Sequence, residues 1–322
     1  MSISPDQATW FASTFDQLVA NVGLAIRGKE RVIRLALTCM LSEGHLLLED
    51  NPGTGKTVLA KALAATVQGT HHRIQFTPDL LPSDLLGVTV YDQKTQSFEF
   101  HKGPVFATVV LAYEINRASP KTQSALLEVM EESRVTVDGE PHSVGRPFMV
   151  IATQNPIEQA GTYRLPEAQL DRFLMKTEVG YPDLGVAVEL MAQAANRDRA
   201  ADVRPVIAAH AVSQMSSFAN QVHVDEAVLR YVGTIAEESR RHTHVKLGLS
   251  MRCCLAFIRA AKTWALSQGR QYVIPDDIKE LAIPVMAHRL ILNAEAQFSG
   301  VNVERVIDDL LASVQAPADR VR

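Results

Sequence analysis

The sequence predicts an α/β chain whose five-stranded, mostly parallel sheet is followed by a smaller, all-α domain. Three observations carry that expectation. Five short apolar runs, at residues 45–49, 73–76, 106–112, 148–153 and 173–179, alternate with helical or turn segments, as buried strands joined by crossovers require. The first run meets a glycine-rich loop, after which helical spacing resumes over residues 58–67. Beyond Tyr181-Pro182-Asp183 the strand pattern stops and helical periodicity takes over.

Size and composition agree with this plan. A chain of 322 residues suits two domains, and its 47% apolar and 21% charged residues are ordinary for a soluble folded protein, which argues against overall disorder. The net charge of −4 argues against a strong electrostatic grip on nucleic acid, although a local basic stripe can hide in an acidic average. Three cysteines, Cys39, Cys253 and Cys254, supply no disulfide framework and point to a reducing, cytoplasmic compartment. The N-terminus lacks a signal-peptide pattern, and no apolar run approaches the roughly 20 residues that span a bilayer, so direct membrane insertion is not expected.

Two helices are expected over 8–42, with apolar residues at helical spacing (Phe11, Phe15, Leu18, Val22, then Val32, Leu35, Cys39) and a break near Gly28. Residues 88–100 alternate around 92–96, and 134–144 alternate around Asp138-Gly139; both predict hairpins projecting from the sheet. Later helices are expected over 187–193, 207–219, 225–243, 252–268 and 275–292, with Asp225 and Asp276 at cap positions and Pro275 at a sharp helix start. The ten histidines show no zinc spacing, and His242-Thr243-His244 reads as a solvated loop, so no structural metal is expected.

The chemistry concentrates at the ends of the expected strands. In Asp50-Asn51-Pro52-Gly53-Thr54-Gly55-Lys56-Thr57, successive N–H groups and a helix N-terminus can surround a phosphate, with Lys56 on the outer phosphates and Thr57 on magnesium. This predicts binding of a nucleoside triphosphate, ATP first. The usual pattern opens with glycine, and Asp50 stands there instead. Val109-Val110-Leu111-Ala112-Tyr113-Glu114 ends a strand where P-loop ATPases place a magnesium-holding aspartate and a water-activating glutamate. Glu114 fits the base, but a neutral phenol at Tyr113 cannot replace the carboxylate. Asn155, just beyond the next strand, either orients the attacking water or serves as a turn residue before Pro156. Arg172 either pairs locally with a carboxylate, which the sequence alone favours, or reaches a neighbouring subunit's phosphate. Ser250 caps a helix whose first turn holds Arg252, a cation opposing the helix dipole there.

Together these segments resemble the MoxR family of AAA+ ATPases, from about Gly28 to Leu292. The resemblance rests on His45-Leu-Leu-Leu-Glu-Asp-Asn-Pro-Gly-Thr-Gly-Lys-Thr57, Gly103-Pro-Val-Phe-Ala107, Glu114-Ile-Asn-Arg-Ala-Ser-Pro-Lys-Thr-Gln-Ser-Ala-Leu-Leu-Glu128, Ala152-Thr-Gln-Asn-Pro156 and His288-Arg289-Leu290. It implies N-terminal helices over 1–44, an AAA+ core over 45–181 and a helical lid over 182–322. Within the core it implies a helix-2 insert at about 86–103 and a pre-sensor hairpin at about 133–147. It further implies a hexameric ring with ATP and magnesium at subunit interfaces, where Asn155 is the first sensor, Arg172 the arginine finger and Arg252 the second sensor. The expected role is a chaperone that assembles or activates other complexes, with protein clients and a partner bearing a von Willebrand factor A domain. Two departures stand out: Tyr113 in place of aspartate, and Met251 where proline normally precedes the second-sensor arginine. Tyr113 opens an alternative, a nucleotide-gated scaffold that does not hydrolyse ATP. A metal-chelatase subunit and a nucleic-acid motor are further alternatives; hairpin tips read as neither basic nor aromatic-rich, and the acidic net charge, disfavour the motor.

Overall fold

The computed structural model describes residues 3–155, 162–192 and 199–317; Pro156 and Gln193, named above, lie outside them. The chain forms two compact units. One comprises Gln17–Arg172 and Thr177–Ser213; the other takes the chain up to Asp16, the short piece Phe173–Lys176, and everything from Gln214.

In chain order the sheet-bearing half contains α1 (Pro5–Gly23), α2 (Glu30–Leu41), β1 (Leu46–Glu49), α3 (Lys56–Thr66), β2 (His71–Gln75), α4 (Pro82–Leu86), β3 (Gly87–Asp92) and β4 (Ser97–Lys102). It continues with β5 (Val109–Tyr113), α5 (Pro120–Glu132), β6 (Arg134–Val137), β7 (Glu140–Ser143), β8 (Met149–Gln154), α6 (Glu167–Leu170), β9 (Met175–Thr177) and α7 (Leu184–Ala192). The five-stranded sheet has the order β2-β5-β8-β1-β9. β2, β5, β8 and β1 pair in parallel, with Leu46 opposite Ile151 and Val109 opposite both His71 and Met149.

Successive residues of a strand face opposite sides, so an unbroken buried run means that both faces are covered. β5 is buried from Val109 to Ala112 and β8 from Met149 to Thr153, which is why these strands read as continuous apolar runs. α3 packs on β2 and β5, and its Leu59, Ala60 and Leu63 are fully out of solvent. His45 bridges elements inside this core: its Nδ1 accepts from Val150 N at 2.9 Å, so Nε2 carries the proton and donates to Met130 O at 3.0 Å.

Both expected hairpins are present. β6 and β7 turn through Asp138 and Gly139, at φ 52° and 83°, the positive pair that a two-residue turn of this hand requires. β3 and β4 meet their base at two glycines: a Cβ on Gly87 would lie 2.2 Å from His101 O, and one on Gly103 would lie 2.2 Å from Leu85 O. One expectation is corrected here. Beside the β3–β4 turn stand Tyr91 and Phe98, paired edge to face at 5.2 Å, with Phe98 74% exposed, so this tip is aromatic after all. Tyr91 and Phe98 are directly opposite in the antiparallel register, a pairing that strand assignment alone does not reveal.

The rest of the chain contains α8 (Ala209–Asn220), α9 (Glu226–Arg241), β10 (Val245–Leu247), α10 (Met251–Ser267), α11 (Pro275–Met286), β11 (Ile291–Leu292), α12 (Ala294–Phe298) and α13 (Val303–Ser313). β10 and β11 form a small antiparallel ribbon, too short to leave a period-two signal, and α11 ends at Met286 where the pattern suggested 292. Asp225 and Ser250 cap α9 and α10 by accepting from Ala227 N and Cys253 N. For α11 the capping carboxylate is Asp277 rather than Asp276: it accepts from Ile274 N at 2.9 Å and also pairs with Arg270. Asp276 instead meets Lys279 at the surface. Among the described residues no helix is long and apolar enough to cross a membrane.

Beyond α11, His288 and Arg289 are buried against Phe173–Lys176. His288 Nε2 donates to Phe173 O at 3.0 Å, and Arg289 donates to the carbonyls of Phe173 and Leu174. Burial, reinforced by the neighbouring Arg289, holds the His288 pKa well below its usual 6.5. The folded unit therefore keeps this imidazole neutral where the unfolded chain takes up a proton, and stability falls as pH drops below about 6.5. We expect wild type to lose up to about 1.4 kcal/mol more than His288→Gln per pH unit below that point, measured by urea denaturation at several pH values. Parallel pH profiles for the two proteins would contradict this assignment.

Candidate functional site

A parallel sheet presents its ligand-binding loops beyond the carboxyl ends of its strands. Here the register aligns those ends: Glu49 lies opposite Gln154, and Gln75 opposite Tyr113, so Asp50, Glu114 and Asn155 follow side by side. Asn155 is half-buried immediately after β8.

The loop from Asp50 to Gly55 joins β1 to α3. Gly53 and Gly55 take φ of 83° and 96°, the left-handed region that other residues disfavour, and Gly55 directly precedes Lys56 at the start of α3. A Cβ on Gly53 would meet no atom within 4 Å, so what glycine supplies there is the conformation and an unobstructed approach to the backbone. Lys56 is only 5% exposed. Its ammonium donates to Asp50 O at 3.2 Å, to Asn51 O and to Thr54 Oγ1 at 3.5 Å. Burial lowers its pKa, while the charges of Asp50 and Glu114 pull the other way. Thr57 is half-buried in the first turn of α3.

Asp50, the residue that breaks the glycine pattern, has its own task. Its Oδ1 accepts from Asn51 N at 2.8 Å, and its Oδ2 accepts from Val179 N at 2.9 Å and Gly180 N at 3.0 Å. Its backbone N–H donates to Gln154 O at 3.2 Å. The carboxylate thus ties the start of the loop to the chain after β9, which a glycine cannot do.

Glu114 leaves β5 in a left-handed conformation, φ 57° and ψ 53°, which is uncommon for a residue with a side chain. Its N–H donates to Thr153 Oγ1 at 2.8 Å, and its Oε2 accepts from Gln75 Nε2 at 3.3 Å and Arg117 Nη1 at 3.1 Å. The following loop is fastened by the buried amide of Gln123, which donates to the carbonyls of Ile115 and Ala118. The Tyr113 ring lies under the Arg73 guanidinium, 4.5 Å from its centroid, and Arg73 also donates to Gln75 Oε1 at 2.8 Å. Tyr113, Gln75, Glu114 and Arg117 therefore form one linked network.

Lys56, Thr57, Glu114, Asn155 and Arg172 all belong to the same compact unit. Arg172 pairs with Glu131 of α5 at 3.1 Å, the local ion pair that its sequence context favoured. Arg252 is exposed in the first turn of α10, in the other unit. Sequence reasoning missed Gln75, Arg73, Arg117 and Gln123. Gln75 and Arg73 become visible only through the β2–β5 register, whereas Arg117 and Gln123 lie inside the quoted 114–128 motif. Ile26 was missed too: its Cδ1 would lie 3.4 Å from a Cβ on Gly55, and Val186 similarly abuts Gly28.

The residues present fit a nucleotide phosphate: two left-handed glycines, the first of them unobstructed, a helix N-terminus and a buried ammonium converge on one loop. For magnesium the fit is partial: Thr57 offers a hydroxyl, the Glu114 carboxylate is shared with Gln75 and Arg117, and Tyr113 supplies no carboxylate.

Comparison with known proteins agrees with this geometry. Residues 45–175 match the ATPase family associated with various cellular activities (AAA), and residues 237–310 match the AAA lid domain. The uncharacterized protein YeaC of Bacillus subtilis is 44% identical over 302 residues, covering 94% of each chain. The chaperone MoxR1 of Mycobacterium tuberculosis is 39% identical over 94% of this chain and 82% of its own, and protein MoxR of Paracoccus denitrificans is 31% identical over 96% and 98%. A crystal structure from Cytophaga hutchinsonii matches with a TM-score of 0.90 at 37% identity, covering 97% of this chain and 98% of that one.

The anchoring role of Asp50 gives a counterintuitive expectation. Asp50→Gly restores the usual loop residue yet strips Val179 and Gly180 of their acceptor, so it should destabilise the protein by about 1–3 kcal/mol in urea denaturation. Asp50→Asn keeps the size and one acceptor oxygen but turns an NH2 either to Asn51 N–H or to the Val179 and Gly180 N–H groups, so it should also destabilise, at the lower end of that range. Unchanged midpoints in both variants would remove the anchor.

Proposed function

The chain belongs to the MoxR family of AAA+ ATPases, and on that premise we propose that it binds ATP with magnesium at the loop Asn51–Thr57 and hydrolyses it. In this reading the cycle drives assembly, maturation or activation of other protein complexes from a homo-oligomeric, hexameric ring in the cytoplasm. The observation that carries the proposal is the buried Lys56 ammonium held within a left-handed glycine loop, with the Glu114 charge acting on it.

The residues divide the work as follows. Pro52, Gly53, Thr54 and Gly55 shape the backbone cradle, and Lys56 exchanges its bonds to loop carbonyls for bonds to the outer phosphates. Bound magnesium supplies charge neutralisation on those phosphates, with Thr57 as its protein ligand. Glu114 accepts the proton of the attacking water, and Asn155 orients that water. Arg172 gives up Glu131 to reach the neighbouring subunit's nucleotide, and Arg252 senses the nucleotide from the lid. We place the core at 45–181 and the lid at 182–322, with N-terminal helices over 1–44. Clients and a partner with a von Willebrand factor A domain belong to this reading by family likeness, supported by the relative named as a chaperone.

One observation favours a second reading, a scaffold gated by nucleotide without turnover. Tyr113 contributes no magnesium-holding carboxylate, and its ring is occupied by Arg73, while Glu114 is already engaged by Gln75 and Arg117.

Steady-state phosphate release decides between the two. For an active ATPase we expect measurable turnover in wild type, a loss of about a hundredfold or more in Glu114→Gln, and retained ATP binding in that variant. Background turnover in wild type that rises by orders of magnitude in Tyr113→Asp would establish the scaffold instead.

A further inference from the structure

Away from the phosphate loop, α3, β2 and the end of β4 border an open surface cleft of about 540 Å³. Lys61, His71, His72, Arg73 and Lys102 line it together with Gly103 and Pro104, and no carboxylate lies among these residues. In a chain of net charge −4, five residues with basic side chains, from three elements, thus border one concavity, with Arg73 also reaching the Tyr113 ring. Positive residues on an edge strand also discourage aggregation, and that accounts for His72 and Arg73. It does not account for Lys61 and Lys102, which reach the same cleft from a helix and from a hairpin.

Local contacts hold two of these side chains in place. The Lys102 ammonium sits over the Phe106 ring at 5.3 Å, and His72 Nδ1 pairs with Pro104 O at 3.0 Å. His71 Nε2 is out of solvent and has no hydrogen-bond partner among the described residues. Burial, and after it the charges of Lys61 and His72, lower the His71 pKa. A concentration of basic residues along one concavity draws anions toward it.

We propose that this cleft is an anion site, separate from the phosphate loop, for a ligand with several closely spaced phosphates. Charge density selects this chemistry over an acidic peptide. Carboxylates on one face of an extended peptide recur only about every 7 Å, whereas an oligophosphate places several charges within the cleft itself. Lysine, arginine and histidine supply donors for such oxygens, and Lys61 and Lys102 are exposed enough to close on them.

The probe is inorganic tripolyphosphate, titrated calorimetrically into the full chain carrying Lys56→Ala, so that the phosphate loop is disabled. We expect saturable binding that weakens by about tenfold or more in Lys61→Glu and in Lys102→Glu, while ATP binding by the same substitutions in the Lys56 protein stays within about twofold of wild type. Melting temperatures report folding, and Lys61→Gln with Lys102→Gln replace any charge reversal that unfolds the chain. A parallel titration with a ten-residue oligothymidylate distinguishes a nucleic-acid backbone from a free oligophosphate as the source of the phosphates. Tripolyphosphate binding that vanishes with Lys56→Ala alone, or that ignores both lysine variants, would overturn the proposal and leave the nucleotide reading intact. Binding of a polyglutamate peptide without tripolyphosphate binding would overturn it in favour of a protein partner.

Discussion

A phosphate loop works only if its backbone is held open before the ligand arrives, because ordering glycines at the moment of binding would cost about 1–2 kcal/mol per residue. In this chain the Asp50 carboxylate supplies that hold. With three backbone N–H partners, at Asn51, Val179 and Gly180, it pins the loop's first residue to the chain leaving β9, while its own N–H extends the ladder to β8. The glycines at 53 and 55 then carry the bend, and Lys56 enters the helix with its ammonium directed back over the loop. An apparent defect in the motif is thus what positions the rest of it.

The second constraint is the strand register. Parallel pairing sets Gln75 against Tyr113 and Glu49 against Gln154, so the catalytic candidates emerge in a row. Glu114 accepts strain in its backbone to turn its carboxylate toward Gln75 and Arg117. Tyr113 gives this neighbourhood its character: an aromatic face holds Arg73 beside Glu114 and brings no carboxylate there. In the proposed function, binding and turnover therefore rest on different residues, the first on the loop and the second on the end of β5.

Much of this was legible in the sequence because the signals were local. Buried parallel strands leave continuous apolar runs, Asp138-Gly139 announces its hairpin, and the glycine loop lies between a strand and a helix. What stayed hidden depends on register or on distant partners. Arg73 and Gln75 look like surface residues until β2 is set against β5, and Asp50 looks like a motif failure until Val179 and Gly180 come near it. Asp276 and Asp277 are equivalent by pattern; only the Arg270 contact and the Ile274 N–H single out Asp277. The β10–β11 ribbon is too short for periodicity, and the basic cleft exists only where three elements converge.

The account stands on the loop as an ATP phosphate site, and equilibrium ATP binding tests that most directly. Calorimetric titration of the purified chain with magnesium ATP should give saturable binding in the micromolar range, with one nucleotide per chain, weakened by about a hundredfold or more in Lys56→Ala. The absence of saturable binding in wild type, or equal affinity in Lys56→Ala, would contradict it.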